Sequence, residues 1–393
     1  DYICAIVISS KRAQQNHRFM ALTASITVNL GLLAFFKYAM FALENLNRLQ
    51  ELLGLEGLGM LQVTLPIGIS FYTFQTMSYT IDVYRREAPP VKSFSDFSCF
   101  VSLFPQLIAG PIVRYNTVAA QLDSRNHTLT KFSTGTSLFI LGFAKKILLA
   151  NPMGEVADAV FAVNGLMTMD AWFGIVAYAF QIYFDFSGYS DMAIGLGRMF
   201  GFELPRNFNA PYMANSITDF WRRWHISLST FLRDYLYIPL GGNRNGTRRT
   251  YVNLTVVMFL GGLWHGASWM FVAWGLYHGI LLCLERMLDH RSLYHHMPYP
   301  LRVAATFILI LFSWILFRST SIAGAWTYYL TLLGMGNVRE SSMLITTELY
   351  TPHHLLVMAI CAGLTVQGVQ SYDWVTHLSW PKAWLLLLVL LFA

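Results

Sequence analysis

Charge is what this sequence has least of. Only 12% of its 393 residues are Asp, Glu, Lys or Arg, about half the share in a soluble domain. A soluble chain of this length needs a charged surface, so the scarcity excludes a water-soluble globule. Cysteine is also sparse. Cys4, Cys99, Cys283 and Cys361 stand far apart with no C-x-x-C pair, so neither a disulfide framework nor a zinc site is indicated. Walker loops and H-E-x-x-H are missing. "GYSDM" lacks the closing glycine of a nucleophile elbow. "GLGRMFG" follows no strand and misses the dinucleotide spacing. Asn-x-Ser/Thr matches at Asn126, Asn245 and Asn253 are at chance level. No internal repeat, low-complexity linker or domain boundary is visible.

Apolar and aromatic bulk fills the space that charge leaves. Hydrophobic residues make up 55%, with 29 Phe, 20 Tyr and 11 Trp, and the mean hydropathy is +0.45. Roughly 20 apolar residues cross a bilayer core, and several runs approach that length. The pattern predicts spans near 20–40, 58–74, 97–113, 132–150, 172–186, 251–274, 276–288, 301–317 and 354–370. Residues 103–114, "LFPQLIAGPIVR", hold two prolines and a glycine and read as a kinked or re-entrant element. Residues 64–79 have similar character. Such backbone survives at membrane depth only under cover of protein or a wet cavity. The chain opens at Asp1 and stops within "AWLLLLVLLFA". It reads as one integral-membrane domain over 1–393, a fragment without its first and last spans.

Residues 198–249 stand apart. Eight arginines face only Glu203, Asp219 and Asp234 there, which predicts a cytoplasmic or interfacial basic segment. The formal charge of +6 therefore reads as topology rather than nucleic-acid binding. Within the segment, residues 216–242 place Phe220, Trp221, Trp224, Leu228, Phe231 and Leu232 near helical spacing. An amphipathic helix at the interface, or one entering part-way, is expected. Ser216 with Asp219 forms a helix-start signal, and "GGNRNG" is a terminating turn.

Chemistry centres on histidines in the run "FLGGLWHGASWMFVAWGLYHG". His265 lies about 21 Å along a helix counted from Tyr251, among Trp264, Trp269 and Trp274. It is either a neutral imidazole bonded across helices or a base at the floor of a polar cavity, taking a proton from a hydroxyl. On a continuous helix His278 points about 220° away and reads as structural. His225 is either an interfacial residue or a second polar group near the cavity mouth. Asp185 and Asp191 fall in an apolar run, where ionisable groups are functional or paired. Pairing with the arginines of the basic segment is expected. Their separation, about 240° around a helix, excludes a glycosidase pair.

From "DFWRRWHISLSTFLRDYLYIPLGGNRNGTRR" through "NLTVVMFLGGLWHGASWMFVAWGLYHG", the chain resembles the membrane-bound O-acyltransferase family, in the branch serving acetylation of exported bacterial polysaccharides such as alginate. "LPIGISFYTFQTMSYTIDVYRRE", "FPQLIAGPIVRY" and "QIYFDFSGYSDMAIGLG" extend the likeness. The resemblance implies an all-α polytopic membrane protein, with a ring of about ten or more transmembrane helices and re-entrant or interfacial helices around a central tunnel. It implies His265 as the catalytic base and His225 as a second tunnel residue. The donor would be cytosolic acetyl-CoA, its anionic end held by Arg222, Arg223, Arg233 and Arg244. A thioester is already activated, so no bound cofactor or metal is expected. The setting would be the bacterial inner membrane, with membrane lipid around the protein, a periplasmic acetyltransferase partner and an exopolysaccharide as final acceptor. Two other readings remain. One is the family's D-alanyl exporter for teichoic acid. The other is a proton-coupled transporter or channel, which inverted repeats would favour.

Overall fold

The computed structural model describes residues 1–59, 61–107, 110–163, 165–288, 292–338 and 347–393, and among these it contains helices and no strand. Among the described residues, three helical stretches are long and apolar enough to cross a membrane: Gln15–Leu52, Leu129–Ala162 and Tyr299–Arg318. The elements in chain order begin with α1 (Tyr2–Ser9), α2 (Gln15–Leu52), α3 (Ile69–Arg85), α4 (Phe94–Val101), α5 (Phe104–Leu107) and α6 (Tyr115–Asp123). Next come α7 (Leu129–Ala144), a π-helical stretch (Lys145–Ala150), α8 (Asn151–Ala162) and α9 (Thr168–Met199). The basic segment holds α10 (Ile217–Arg223), α11 (Ile226–Leu232) and a second π-helical stretch (Arg233–Tyr237). Then follow α12 (Gly246–His265), α13 (Trp269–Met287), α14 (Tyr299–Arg318), α15 (Ile322–Leu332), α16 (Pro352–Gln367), α17 (Ser371–Trp374) and α18 (Trp380–Phe392).

Helix α9 is the central post. It is buried along most of its length and packs against α7, α8, α14 and α15. Its contact with α7 is set by glycines. A Cβ on Gly135 would lie 2.7 Å from the Gly195 carbonyl oxygen, and one on Gly188 would lie 2.6 Å from that of Gly142. The glycines recur one heptad apart on each helix, the repeat that keeps a seam aligned between neighbouring helices. Backbone approaches backbone there, as small residues allow in membranes.

Several sequence expectations change in the structure. The span expected at 251–274 is two helices. α12 stops at His265, Gly266 is extended, and α13 begins after Ser268, whose hydroxyl accepts from the Met270 amide at 3.2 Å. The span expected at 58–74 starts only at Ile69. Gly68 before it has φ +76, and a Cβ there would meet the Leu107 carbonyl oxygen at 2.5 Å. Residues 103–114 are broken, as expected: α5 is four residues long, and the Ile112 amide bonds to Ser227 Oγ at 2.9 Å. Ile108 and Ala109 of that motif lie outside the described residues.

The amphipathic helix expected over 216–242 is interrupted at Trp224–His225. Phe220, Trp224, Leu228 and Phe231 are buried in protein rather than laid on an interface. Ser216 does cap α10, accepting from the Asp219 amide at 3.0 Å. Asp185 and Asp191 pair with lysines, not with the basic-segment arginines. Lys146 reaches Asp185 at 2.5 Å and Lys145 reaches Asp191 at 2.7 Å. Both lysines open the π-helical stretch, whose wider turn alters side-chain phase and lets consecutive residues meet α9.

Gly135→Leu must push α7 from α9. It is expected to cost about 1–3 kcal/mol, the usual range for overpacking, and to lower the unfolding temperature in detergent. Gly31→Leu, where an added Cβ meets nothing within 4 Å, should leave that temperature unchanged.

Candidate active site

His265 is the last residue of α12. A helix ending here, rather than running on through the apolar run, turns the ring into an aromatic enclosure. Trp264 lies 5.0 Å away by ring centroids, Trp274 5.1 Å and Phe317 5.2 Å. These rings come from α12, α13 and α14, so three helices fix one imidazole.

His225 is brought to the same place from the basic segment, its ring centroid 6.5 Å from that of His265. It sits at the break between α10 and α11 with φ +42, a conformation that costs energy for a residue with a Cβ. The break is held from outside. The Ile226 amide bonds to the Asn207 carbonyl at 2.9 Å, and Ser227 Oγ donates to Asn207 Oδ1 at 2.6 Å. Phe186 packs edge-on against the ring at 4.6 Å. His225 is buried, and neither ring nitrogen has a protein hydrogen-bond partner among the described residues. Most buried polar atoms are bonded, so two orphans on one strained residue make His225 a candidate site residue.

Two cavities meet at His265. One, of about 580 Å³, includes Lys37, Ser70, Lys146, Asp185, His225 and His265 in its wall. The other, of about 490 Å³, includes Arg222, Arg233, Tyr237, Met258, Arg286 and again His265. Trp274 also lines both. The first lies among α2, α3, α9 and α14, and the second among α10 to α13. His265 thus belongs to the wall of both cavities, whose linings mix these polar groups with aromatic and aliphatic side chains.

The four expected donor-binding arginines separate. Arg222 and Arg233 line the second cavity. Arg223 is paired with Asp219 at 2.9 Å, and Arg244 is exposed in the turn after α11 and lines neither cavity. Arg233 shares Asp234 with Arg114, at 2.6 and 2.7 Å. Burial works to raise the Asp234 carboxyl, but the two guanidinium groups prevail and hold it below the usual carboxylate range. His278, expected to be structural or interfacial, lines neither cavity, and the break in the helix voids the angle used to place it. Its Nδ1 accepts from Trp221 Nε1 at 3.3 Å, it packs edge-on against Trp274 at 5.0 Å, and its Nε2 has no protein partner among the described residues.

Sequence reasoning passed over Lys37, Lys146 and Glu285. The signal for Lys37 was present: a cation in the middle of "LLAFFKYAMF". Glu285 anchors the His225 segment, its carboxylate accepting the Ile217 and Thr218 amides at 2.7 and 2.8 Å. Nothing in the local sequence ties α13 to the start of α10.

A family model for MBOAT, the membrane-bound O-acyltransferase family, matches residues 4–323. The probable alginate O-acetylase of Azotobacter vinelandii is 48% identical over 326 residues, covering 83% of this chain and 65% of that protein. The corresponding protein of Pseudomonas aeruginosa is 47% identical over 322 residues, covering 82% and 62%. The peptidoglycan O-acetyltransferase of Helicobacter pylori is 39% identical over 368 residues, covering 86% and 69%. The chain thus spans less than two thirds of the length of the first two.

His225→Asn keeps a residue that tolerates left-handed backbone and deletes the ring. Its unfolding temperature is expected to stay near that of the native protein, while acyl transfer falls by about a hundredfold, as expected when a reacting hydroxyl is misplaced. Thermal unfolding beside an activity assay checks this. A large thermal loss with normal activity would make the ring structural.

Proposed function

Because this chain belongs to the membrane-bound O-acyltransferase family, we propose that it transfers acetyl groups from cytosolic acetyl-CoA for O-acetylation of an exported, alginate-like polysaccharide. The observation that carries the reading is the position of His265 where two cavities meet. A donor in one and an acceptor hydroxyl in the other would come together at one imidazole. The identity of about 48% with alginate O-acetylases favours acetyl over D-alanyl as the cargo. The D-alanyl reading has weaker likeness on its side, since the teichoic acid D-alanyltransferases of Streptococcus thermophilus and Bacillus subtilis are 29% and 27% identical, and the transporter reading has no specific observation.

The donor takes the cavity with Arg222, Arg233 and Arg286. Guanidinium groups suit phosphate oxygens, and coenzyme A is anionic at one end and a slim apolar thioester at the other. His265 accepts the proton of the acceptor hydroxyl as its oxygen attacks the thioester carbonyl. The tetrahedral intermediate then collapses, the C–S bond breaks, and the coenzyme A thiolate takes the proton back from the imidazole. The enclosing Trp and Phe rings keep bulk water from competing for the acyl carbon. His225, beside His265 in the acceptor cavity, orients the incoming hydroxyl. The setting is the bacterial inner membrane. A periplasmic acetyltransferase partner would pass the group on where the polymer itself cannot reach His265.

His265→Ala is expected to abolish acetylation of exported polymer while the protein still accumulates in the membrane. Base-labile acetate on the polymer is the measurement, and near-normal acetate sinks the reading. Arg222→Ala with Arg233→Ala should raise the KM for acetyl-CoA by about tenfold, as expected when charge-assisted contacts worth about 1.4 kcal/mol in all are lost. Turnover at saturating donor should change little. An unchanged KM would remove the donor from that cavity.

A further inference from the structure

We propose that Lys37 is a positioning residue for His265, holding the peptide group from which the imidazole is suspended. The inference rests on the reading of His265 as the base.

α2 is largely exposed and apolar over a membrane-length window, and an ammonium group at the middle of a membrane helix is costly unless it has a task. Its partners are specific. Lys37 Nζ donates to the Trp264 carbonyl and, at 3.0 Å, to Ser70 Oγ. The next residue repeats the arrangement, Tyr38 OH donating to the Leu263 carbonyl at 2.7 Å. Consecutive side chains of α2 thus bind consecutive carbonyls at the end of α12. Those carbonyls belong to the last turn of a helix, where backbone partners run out. No glycine in left-handed conformation closes this end, since Gly266 is extended.

The Trp264 carbonyl is half of the peptide unit whose amide belongs to His265. Fixing that oxygen fixes the plane of the unit, and the plane sets the direction in which the His265 side chain leaves the backbone. Lys37 also lies 5.5 Å over the Trp264 ring, which packs edge-on against the imidazole at 5.0 Å. The same ammonium therefore steadies the backbone of His265 and one wall of its enclosure. Its positive charge further offsets the negative end of α12, which otherwise falls on the reacting centre. Lys37 and Ser70 both line the cavity that holds His225 and His265, so the device is part of the site wall rather than of the lipid-facing surface.

The test uses the purified protein in lipid nanodiscs with acetyl-CoA as donor and alginate oligosaccharide present, read as release of the coenzyme A thiol. Lys37→Met should lower kcat by about tenfold or more, since small misplacement of a reacting group costs this much, with the KM for acetyl-CoA unchanged. Lys37→Arg, which keeps the charge and the donors, should recover most of the loss. Ser70→Ala, which frees the ammonium without deleting it, should give an intermediate kcat and keeps the question open to measurement if Lys37→Met does not fold. Native kcat in Lys37→Met, or in Ser70→Ala where only that variant folds, overturns the proposal. So does equal loss in Lys37→Met and Lys37→Arg. If the native protein turns over no faster than His265→Ala, the catalytic reading fails and takes this proposal with it. An active native protein with an unaffected Lys37→Met removes the role of Lys37 alone.

Discussion

A helix that ends inside an apolar core has to find partners for its last carbonyls, and this requirement organises the molecule around His265. In hydrocarbon each unsatisfied backbone group costs several kcal/mol. α12 stops short of a full crossing from its basic end, and the carbonyls of Leu263 and Trp264 are taken by Tyr38 and Lys37 of α2. The following helix can start close by because Gly262 and Gly275 let the backbones of α12 and α13 touch. A β-carbon at either position would displace the pair, and the ring of His265 with it. The break in the helix is thus a stabilised feature with three separate supports.

The second constraint is the left-handed turn at His225. It would open if left to local preference. The irregular stretch around Asn207 closes it through backbone and side-chain bonds to Ile226 and Ser227, and Ser227 in turn takes the Ile112 amide from the broken segment before α6. Two irregular stretches of backbone therefore satisfy one another. Glu285 adds a third tie, from α13 to the start of α10. Irregular backbone is tolerated here because it is covered by protein and faces a cavity.

What could be read in advance follows from which interactions are local. The membrane class came from charge depletion, the basic segment from its arginines, and the start of α10 from Ser216, each a property of a short window. His265 stood out because the residue type is costly in an apolar run. The break after His265 was not legible, since Gly266 and Ser268 look like any small residues that a membrane helix accepts. The same holds for the fate of Asp185 and Asp191. Choosing lysines over arginines as partners depends on a π-helical turn, and π-helical phase has no dependable sequence signature. Lys37 had a visible signal, but its partner lies 227 residues away, and only tertiary packing connects them.

The paired charges along α9 extend this logic. Lys145–Asp191 is largely enclosed, with side-chain exposures of 18% and 13%, whereas Lys146–Asp185 is about half exposed, at 43% and 47%. Burying an ion pair brings little net stability once desolvation is counted, so the enclosed pair is better understood as fixing the register of the π-helical stretch against α9. The open pair borders the cavity that contains both site histidines. Register and opening are therefore linked, since a slip of one residue at the π-helical stretch would put Lys145 in place of Lys146 at the cavity wall. The glycine seam between α7 and α9 resists that slip because its close backbone contacts exist in only one alignment. The polar rim of the cavity is consequently held by helix packing well away from the imidazoles it surrounds.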